Sequence, residues 1–196
     1  MSSVIDLQSY VGAAGSRLLV LTDLQQCNRD ELARDPSCDL VRSLDNCMAA
    51  IRHARSIGLP IAFTRQAERT GTAKKAPSRW ISGFEPNRAD MVFERQQPSC
   101  YANQLFDDIV SQFGSFAIAG LAAEETCLAT SIDASCRGHR VTFLSDASVS
   151  RRRMEADAQA VHVVTTSAIE LFADVAATNH WLIATSQRHP RGRRYG

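Results

Sequence analysis

Several common sequence features are absent from this chain of 196 residues, and each absence excludes a class of protein. No run approaches the roughly 20 apolar residues that cross a bilayer, so we expect no membrane span. Neither sign of charge is in excess, since 22 Lys and Arg stand against 21 Asp and Glu, which argues against nucleic-acid or membrane-surface binding. The N-terminus lacks the basic and apolar regions of a signal peptide, which predicts a cytoplasmic protein.

Metal-site and disulfide patterns are also missing. The six cysteines form no C-x-x-C pair, and the five histidines are scattered along the chain. We therefore expect reduced thiols, no metal ion and no cofactor.

The chain does contain an alternation of short apolar runs and helical patterns. Six runs of four to six residues are mostly continuously apolar, which is typical of strands buried on both faces of a parallel sheet. Apolar residues at i, i+3 and i+4 predict helices between them. The predicted strands are Arg17–Thr22, Leu59–Thr64, Met91–Glu94, Ser115–Gly120, Arg140–Leu144 and His180–Ala184, and the predicted helices are Pro36–Ile57, Ala102–Gln112, Glu124–Arg137 and Met154–Ala176.

This alternation predicts one domain over residues 1–196, with its core over about 16–185. We expect a single three-layer α/β/α domain with a mainly parallel, Rossmann-like six-stranded sheet. Two segments depart from the pattern. The long loop Gln66–Arg88 is typical of a functional lid or a disordered segment. The basic tail Arg188–Gly196 is interpreted as a solvated terminus in preference to a subunit contact or a nucleic-acid arm.

Polar residues at the carboxyl ends of the predicted strands are the candidates for chemistry, because ligands of such sheets bind there. Asp23 follows the first strand, Arg95 follows the third, and Cys127 follows a glycine-bearing turn after the fourth. A helix N-terminus stabilises a thiolate and a developing oxyanion, while Asp23 and Arg95 would supply a base and a cation. This set predicts attack on an amide carbonyl. In the alternative interpretation Cys127 is a packed helix residue, Asp23 a capping or loop acid and Arg95 a surface charge.

Three stretches of the chain resemble the isochorismatase-like cysteine hydrolase superfamily. That family has an apolar strand ending in D-x-Q, a later strand followed by K-x-x-x-S-A-F, and a glycine-bearing turn that leads to a cysteine and opens a helix with the continuation A-T-x-x-D-A. The likeness covers about residues 16–185, and the stretches that carry it are Leu18–Gln25 (LLVLTDLQ), Asp90–Tyr101 (DMVFERQQPSCY) and Gly120–His139 (GLAAEETCLATSIDASCRGH).

The resemblance implies a hydrolase that cleaves a C–N bond in a small amide, carbamoyl or imide compound. Asp23 would be the general base and Cys127 the nucleophile that carries a covalent acyl group. Arg95 stands where the family has lysine, so it would supply charge without relaying a proton. The family's cis peptide, which aims backbone N–H groups at the oxyanion, would lie at Ala122–Ala123, with Leu121–Ala122 as the alternative.

The resemblance also implies a homo-oligomer, either a dimer or a tetramer, and no metal, because the Asp/His cluster of nicotinamidase-like members is missing after the second strand. Two other functions stay open: a catalytically silent small-molecule binding relative, and an isochorismate-like vinyl ether hydrolase, a branch whose members lack the cysteine. Candidate substrate contacts are Gln25, Trp80, Phe84, Tyr101 and Glu124, for which core packing, subunit contact or helix N-terminal charge is the alternative.

Overall fold

The computed structural model describes residues 15–67 and 78–186. Residues 68–77 of the predicted long loop, and the predicted tail over 188–196, lie outside the described residues. Six strands form one sheet in the order β3-β2-β1-β4-β5-β6, and every neighbouring pair is parallel. The strands are β1 (Leu19–Thr22), β2 (Ile61–Gln66), β3 (Met91–Arg95), β4 (Ser115–Gly120), β5 (Arg140–Ser148) and β6 (Asp174–Ala176).

Six α-helices accompany the sheet in the described part of the chain, and none of them is long and apolar enough to span a bilayer. A 3₁₀ turn over Cys100–Ala102 precedes α3, and a π-helical turn over Ala123–Cys127 leads directly into α4. The helices are α1 (Gln26–Leu32), α2 (Leu40–Ser56), α3 (Gln104–Phe113), α4 (Leu128–Cys136), α5 (Ala158–Ile169) and α6 (Thr178–Ser186).

Alternating side chains of β1 pack against two separate apolar clusters, because successive residues of a strand point to opposite faces. Leu19 and Leu21 belong to the cluster that contains residues of α2 and α6. Leu18 and Val20 belong to the cluster that contains residues of α3, α4 and α5. The sheet therefore lies between two helical layers, which confirms the predicted three-layer α/β/α fold.

The last predicted strand, His180–Ala184, is wrong: this segment lies in α6. Its buried residues Thr178, Trp181 and Ala184 recur every three positions, so one helical face packs on the core. The sixth strand is instead Asp174–Ala176, which the sequence analysis had assigned to the end of a helix. The predicted helix over Met154–Ala176 is accordingly shorter, and α1 was not predicted.

The order of the strands reverses between β1 and β4, which follow one another in space but not along the chain. Crevices of open α/β sheets form at this point, beyond the carboxyl ends of the strands. The residues that follow β1 and β4 are Asp23 and the turn from Leu121 to Thr126.

Candidate active site

Asp23 lies directly beyond β1 and is almost fully buried, with 3% of its surface exposed. Its backbone has a φ of 56°, in the left-handed region, and its N–H donates to the carbonyl of Thr64 at 2.9 Å. Asn28 from α1 donates through Nδ2 to the Asp23 carbonyl at 2.9 Å. These bonds turn the chain at the strand end and hold the Asp23 carboxyl at the carboxyl edge of the sheet.

Arg95 ends β3 and contacts Asp23 directly. Its Nη2 donates to Asp23 Oδ2, and its Nη1 donates to the carbonyl of Gln97 at 2.9 Å. The guanidinium is buried like its partner, with 2% of Arg95 exposed. A buried charge is costly unless it is paired, so these two side chains depend on one another.

The third member of this cluster is Thr126, which the sequence analysis did not single out. Thr126 Oγ1 donates to Asp23 Oδ2 at 2.6 Å and accepts from Arg95 Nη2 at 2.6 Å. Thr126 is also buried, at 1% exposure. We call Asp23, Arg95 and Thr126 the carboxylate cluster. The sequence points to Thr126 only through its position directly before Cys127, the cysteine that matches the family pattern.

Cys127 makes no hydrogen bond to the carboxylate cluster in the described part of the chain. Within the described residues its Sγ has one hydrogen-bond partner, Thr22 Oγ1 at 3.6 Å, and its side chain packs in the cluster under α3 and α4. Burial raises the pKa of Cys127 far above its ordinary value, whereas we had expected a lowered pKa. Asp23 is near enough for its charge to act on the thiol, where it also raises the pKa of Cys127.

The turn before Thr126 reverses the chain without the expected cis peptide. No cis bond occurs among the described residues, so Leu121–Ala122 and Ala122–Ala123 are both trans. The reversal comes from positive φ angles, 135° at Gly120 and 58° at Ala122. A Cβ atom on Gly120 would lie 2.2 Å from the carbonyl oxygen of Thr22, so only glycine fits there. The N–H of Ala123 donates to the carbonyl of Val149 at 2.9 Å, which engages one of the two predicted oxyanion donors.

The Asp23 carboxyl is asymmetric. Oδ2 accepts from both partners, while Oδ1 is buried with no hydrogen-bond partner in the described part of the chain. Burial raises the pKa of Asp23 above its ordinary value, against the lowering effect of Arg95 and of the Thr126 hydroxyl. The hydrogen bonds of this carboxyl are therefore confined to Oδ2, and Oδ1 has capacity for a further bond.

The predicted substrate contacts are used mainly in packing. Gln25 is buried and donates through Nε2 to the carbonyl of Ser78 at 3.2 Å. Trp80 pairs with Gln25 through a backbone bridge and packs edge-on against Phe63, with ring centroids 5.7 Å apart. Phe84 lies in the apolar core beside α2.

Tyr101 and Glu124 also have structural partners. Tyr101 is buried below α3, and its hydroxyl lies 2.8 Å from Nδ1 of His139. Glu124 accepts from Arg153 Nη2 at 2.9 Å and from the backbone N–H of Arg151 at 3.2 Å. These contacts fix the π-helical turn that carries Thr126.

An open depression of about 410 Å³ lies at the end of β3, where Arg95 lines it but Asp23 and Thr126 do not. It is bordered by Arg95, the following residues Gln96 and Gln97, and the start of α3. Its size is within the range of about 300–1,000 Å³ that is usual for small-molecule sites. In the described part of the chain no group of three or more His, Cys, Asp or Glu side chains could hold a metal ion.

Comparisons with known proteins agree with this architecture. A model of the isochorismatase domain matches residues 17–180. A search of curated proteins finds no match.

Solved structures with the same fold include three bacterial proteins. A cysteine hydrolase from Pseudomonas syringae has a TM-score of 0.77 at 18% identity, over 88% of this chain and 94% of that one. A putative isochorismatase-family hydrolase from Chromobacterium violaceum has a TM-score of 0.76 at 18% identity, over 88% and 95%. A putative isochorismatase from Burkholderia xenovorans has a TM-score of 0.74 at 23% identity, over 89% and 90%.

Proposed function

The chain belongs to the isochorismatase family of hydrolases, and within that family we propose that it hydrolyses a small isochorismate-like vinyl ether by proton transfer from Asp23. The observation that carries this proposal is the Asp23 carboxyl, with two donors on Oδ2 and a buried, unpartnered Oδ1. Such a carboxyl can deliver a proton without a nucleophilic side chain.

The reaction balances with one water molecule. The Asp23 Oδ1–H bond breaks, and the π electrons of the alkene take its proton at the terminal carbon. The oxocarbenium ion that results bonds to the oxygen of water, which loses a proton to the Asp23 carboxylate. The hemiketal then releases a ketone and an alcohol, and Asp23 is again protonated.

The two other members of the cluster keep this carboxyl in place. Arg95 has a pKa above about 12 and cannot relay a proton, so its contribution is a fixed charge that steadies the carboxylate after transfer. Thr126 donates to the same oxygen as Arg95, which directs the transferable proton to Oδ1. A general acid in such a position typically accelerates a reaction by about 10²–10⁴-fold.

The competing proposal is the covalent cleavage of a C–N bond on Cys127, which the sequence analysis favoured. A nucleophilic thiol needs a base within hydrogen-bond reach and a lowered pKa. Cys127 has Thr22 as its partner, and burial raises the pKa of its thiol. The resemblance associates vinyl ethers with a branch that lacks the cysteine, whereas this chain has Cys127 at that position, so support for the vinyl ether proposal comes from the carboxylate cluster.

Two assays test the two proposals side by side. Release of the keto product from isochorismate tests the vinyl ether proposal, and release of ammonia from a panel of small amides tests the covalent proposal. We expect keto product from the wild type, a loss of about 10²–10⁴-fold in Asp23→Asn, and nearly full activity in Cys127→Ala. Cys47→Ala is the matched control, because Cys47 is as buried as Cys127 and is not part of the carboxylate cluster.

Three outcomes would overturn the proposal. Ammonia release that disappears in Cys127→Ala but not in Cys47→Ala would establish the covalent mechanism. No turnover on either panel, with the fold intact, would favour the silent binding relative. Full activity in Asp23→Asn would remove Asp23 from the chemistry.

A further inference from the structure

Arg151 lies three residues beyond β5 and is largely buried, with 16% of its side chain exposed. It contacts the two elements that hold Asp23, which are helix α1 and the π-helical turn. We propose that Arg151 is a positioning residue that joins these two elements and so fixes the place of the Asp23 carboxyl. This role rests on the proposed function, because Asp23 is the acid of that reaction.

The link between Arg151 and α1 passes through Asn28. Arg151 Nη2 donates to Asn28 Oδ1 at 2.7 Å, and Asn28 Nδ2 donates to the carbonyl of Asp23 at 2.9 Å. Because a guanidinium has only donors, the oxygen of the amide faces Arg151 and its NH₂ group faces Asp23. Arg151 therefore fixes the orientation of the amide that holds the Asp23 backbone. Its Nε also donates to Glu31 Oε2 at 3.0 Å, which holds the guanidinium against the same helix.

The link between Arg151 and the π-helical turn is made at two glutamates. Nη1 of Arg151 donates to Glu125 Oε2 at 3.3 Å, and its backbone N–H donates to Glu124 Oε2 at 3.2 Å. Thr126 directly follows these glutamates and donates to Asp23 Oδ2 at 2.6 Å. Asp23 is thus held through its backbone from α1 and through its carboxyl from the turn, and Arg151 is bonded to both elements.

The charge of Arg151 gives this role a signature in the titration of Asp23. Burial raises the pKa of Asp23, Arg95 and Arg151 lower it, and Glu125 raises it. Removing the charge of Arg151 should therefore raise the pKa of Asp23. Two buried thiols also interact with the charge of Asp23, and burial raises the pKa of both, so they stay neutral. These thiols are Cys100 and Cys127.

The pH dependence of kcat/KM with isochorismate tests this role in Arg151→Met and Arg151→Lys. Methionine keeps an apolar stem without charge or donors, so we expect kcat/KM to fall by about 10- to 100-fold and its alkaline limb to move to higher pH. Lysine restores the charge without the fork of donors, so the limb should return toward its wild-type pH while kcat/KM stays low. A residue that only stabilised the fold would leave the limb in place in both variants.

Arg153→Met is the matched control. Arg153 also contacts Glu124 at 2.9 Å and Glu125 at 3.5 Å, but in the described part of the chain it has no hydrogen bond or ion pair to α1. Its replacement should therefore cost less activity and leave the limb in place. Asn28→Ala breaks the link to Asp23 from its other end, so the losses in Asn28→Ala and Arg151→Met should be less than additive when the two changes are combined.

Carbon-13 NMR titration of the Asp23 carboxyl, assigned by the signal that Asp23→Asn removes, needs no turnover. We expect the pKa of Asp23 to rise in Arg151→Met and to stay near its wild-type value in Arg151→Lys and Arg153→Met. If isochorismate is not hydrolysed but these shifts occur, the proposed reaction fails while the contact of Arg151 with the site is supported. Arg151 has no positioning role if Arg151→Met leaves kcat/KM and the pKa of Asp23 unchanged, if Arg153→Met has the same effects, or if the losses in Asn28→Ala and Arg151→Met add in full.

Discussion

Replacing Thr126 by valine removes one hydroxyl from the carboxylate cluster while nearly keeping the shape of the side chain. That hydroxyl donates to Asp23 Oδ2 at 2.6 Å and accepts from Arg95 Nη2 at 2.6 Å, at a position 1% exposed. Water therefore has little access to replace it. After the change, Asp23 and Arg95 keep one another as partners, but each loses its hydrogen bond to the Thr126 hydroxyl.

The cost follows from those two bonds. A hydrogen bond to a charged group contributes about 1.5–3 kcal/mol, and the surviving contact between Asp23 and Arg95 prevents the two losses from adding in full. We expect Thr126→Val to lower the free energy of unfolding by roughly 2–3 kcal/mol. For a chain of this size each kcal/mol shifts the melting temperature by about 2–4 °C, so the shift should be about 4–12 °C.

Urea unfolding with and without the change measures this cost, and Thr142→Val is the matched control. Thr142 is also buried, but among the described residues its hydroxyl accepts only from the neutral Ser16 Oγ at 3.3 Å, so its replacement should cost about 1 kcal/mol or less. Equal costs for the two variants would refute our account of the cluster.

Thr126→Val should also change how activity depends on pH. The Thr126 bond lowers the pKa of Asp23, so its loss should raise that pKa further. Because the proposed reaction needs protonated Asp23, activity falls as pH rises through this pKa. The alkaline limb of kcat/KM should therefore move to higher pH in Thr126→Val, and an unchanged or lower limb would contradict the assigned role of Asp23 as acid.

The centre of the sheet could be predicted because β1 and β4 are buried on both faces. Continuous apolar runs such as Ser115–Gly120 are typical of strands covered on both faces, and this strand is buried along its whole length. The short edge strand Asp174–Ala176 has only one buried residue, so it carries no such signal. The apolar run His180–Ala184 was ambiguous in period, and tertiary packing of Trp181 on the core decided for a helix.

Two members of the carboxylate cluster, Asp23 and Arg95, could be identified as candidates from the sequence, but the third member, Thr126, could not. Asp23 and Arg95 end strands, and the parallel sheet brings strand ends to one edge. Thr126 lies in a π-helical turn, whose wider step changes the direction of every later side chain. Spacing along the sequence therefore could not decide between Thr126 and Cys127. The predicted homo-oligomer and cytoplasmic location stay predictions.

Three further expectations follow from where the thiols and charges lie. Iodoacetamide with peptide mapping should label exposed Cys136 well before buried Cys127, and early labelling of Cys127 would contradict its raised pKa. Arg95→Lys should keep most activity and Arg95→Ala should lose it, because the paired charge is what matters, whereas a large gain with lysine would mark the natural chain as a weakened hydrolase. Thr126→Cys, made in a Cys127→Ala background, moves the thiol by one residue to the place of the Thr126 hydroxyl. There the Arg95 guanidinium would lie beside the sulfur and stabilise a thiolate. Both positions are equally buried, so any faster labelling of the moved thiol, relative to Cys127 in the wild type, measures activation by the cluster and not access. Equal labelling rates would mean that the carboxylate cluster cannot activate a nucleophile, and that its chemistry is limited to the proton on Asp23.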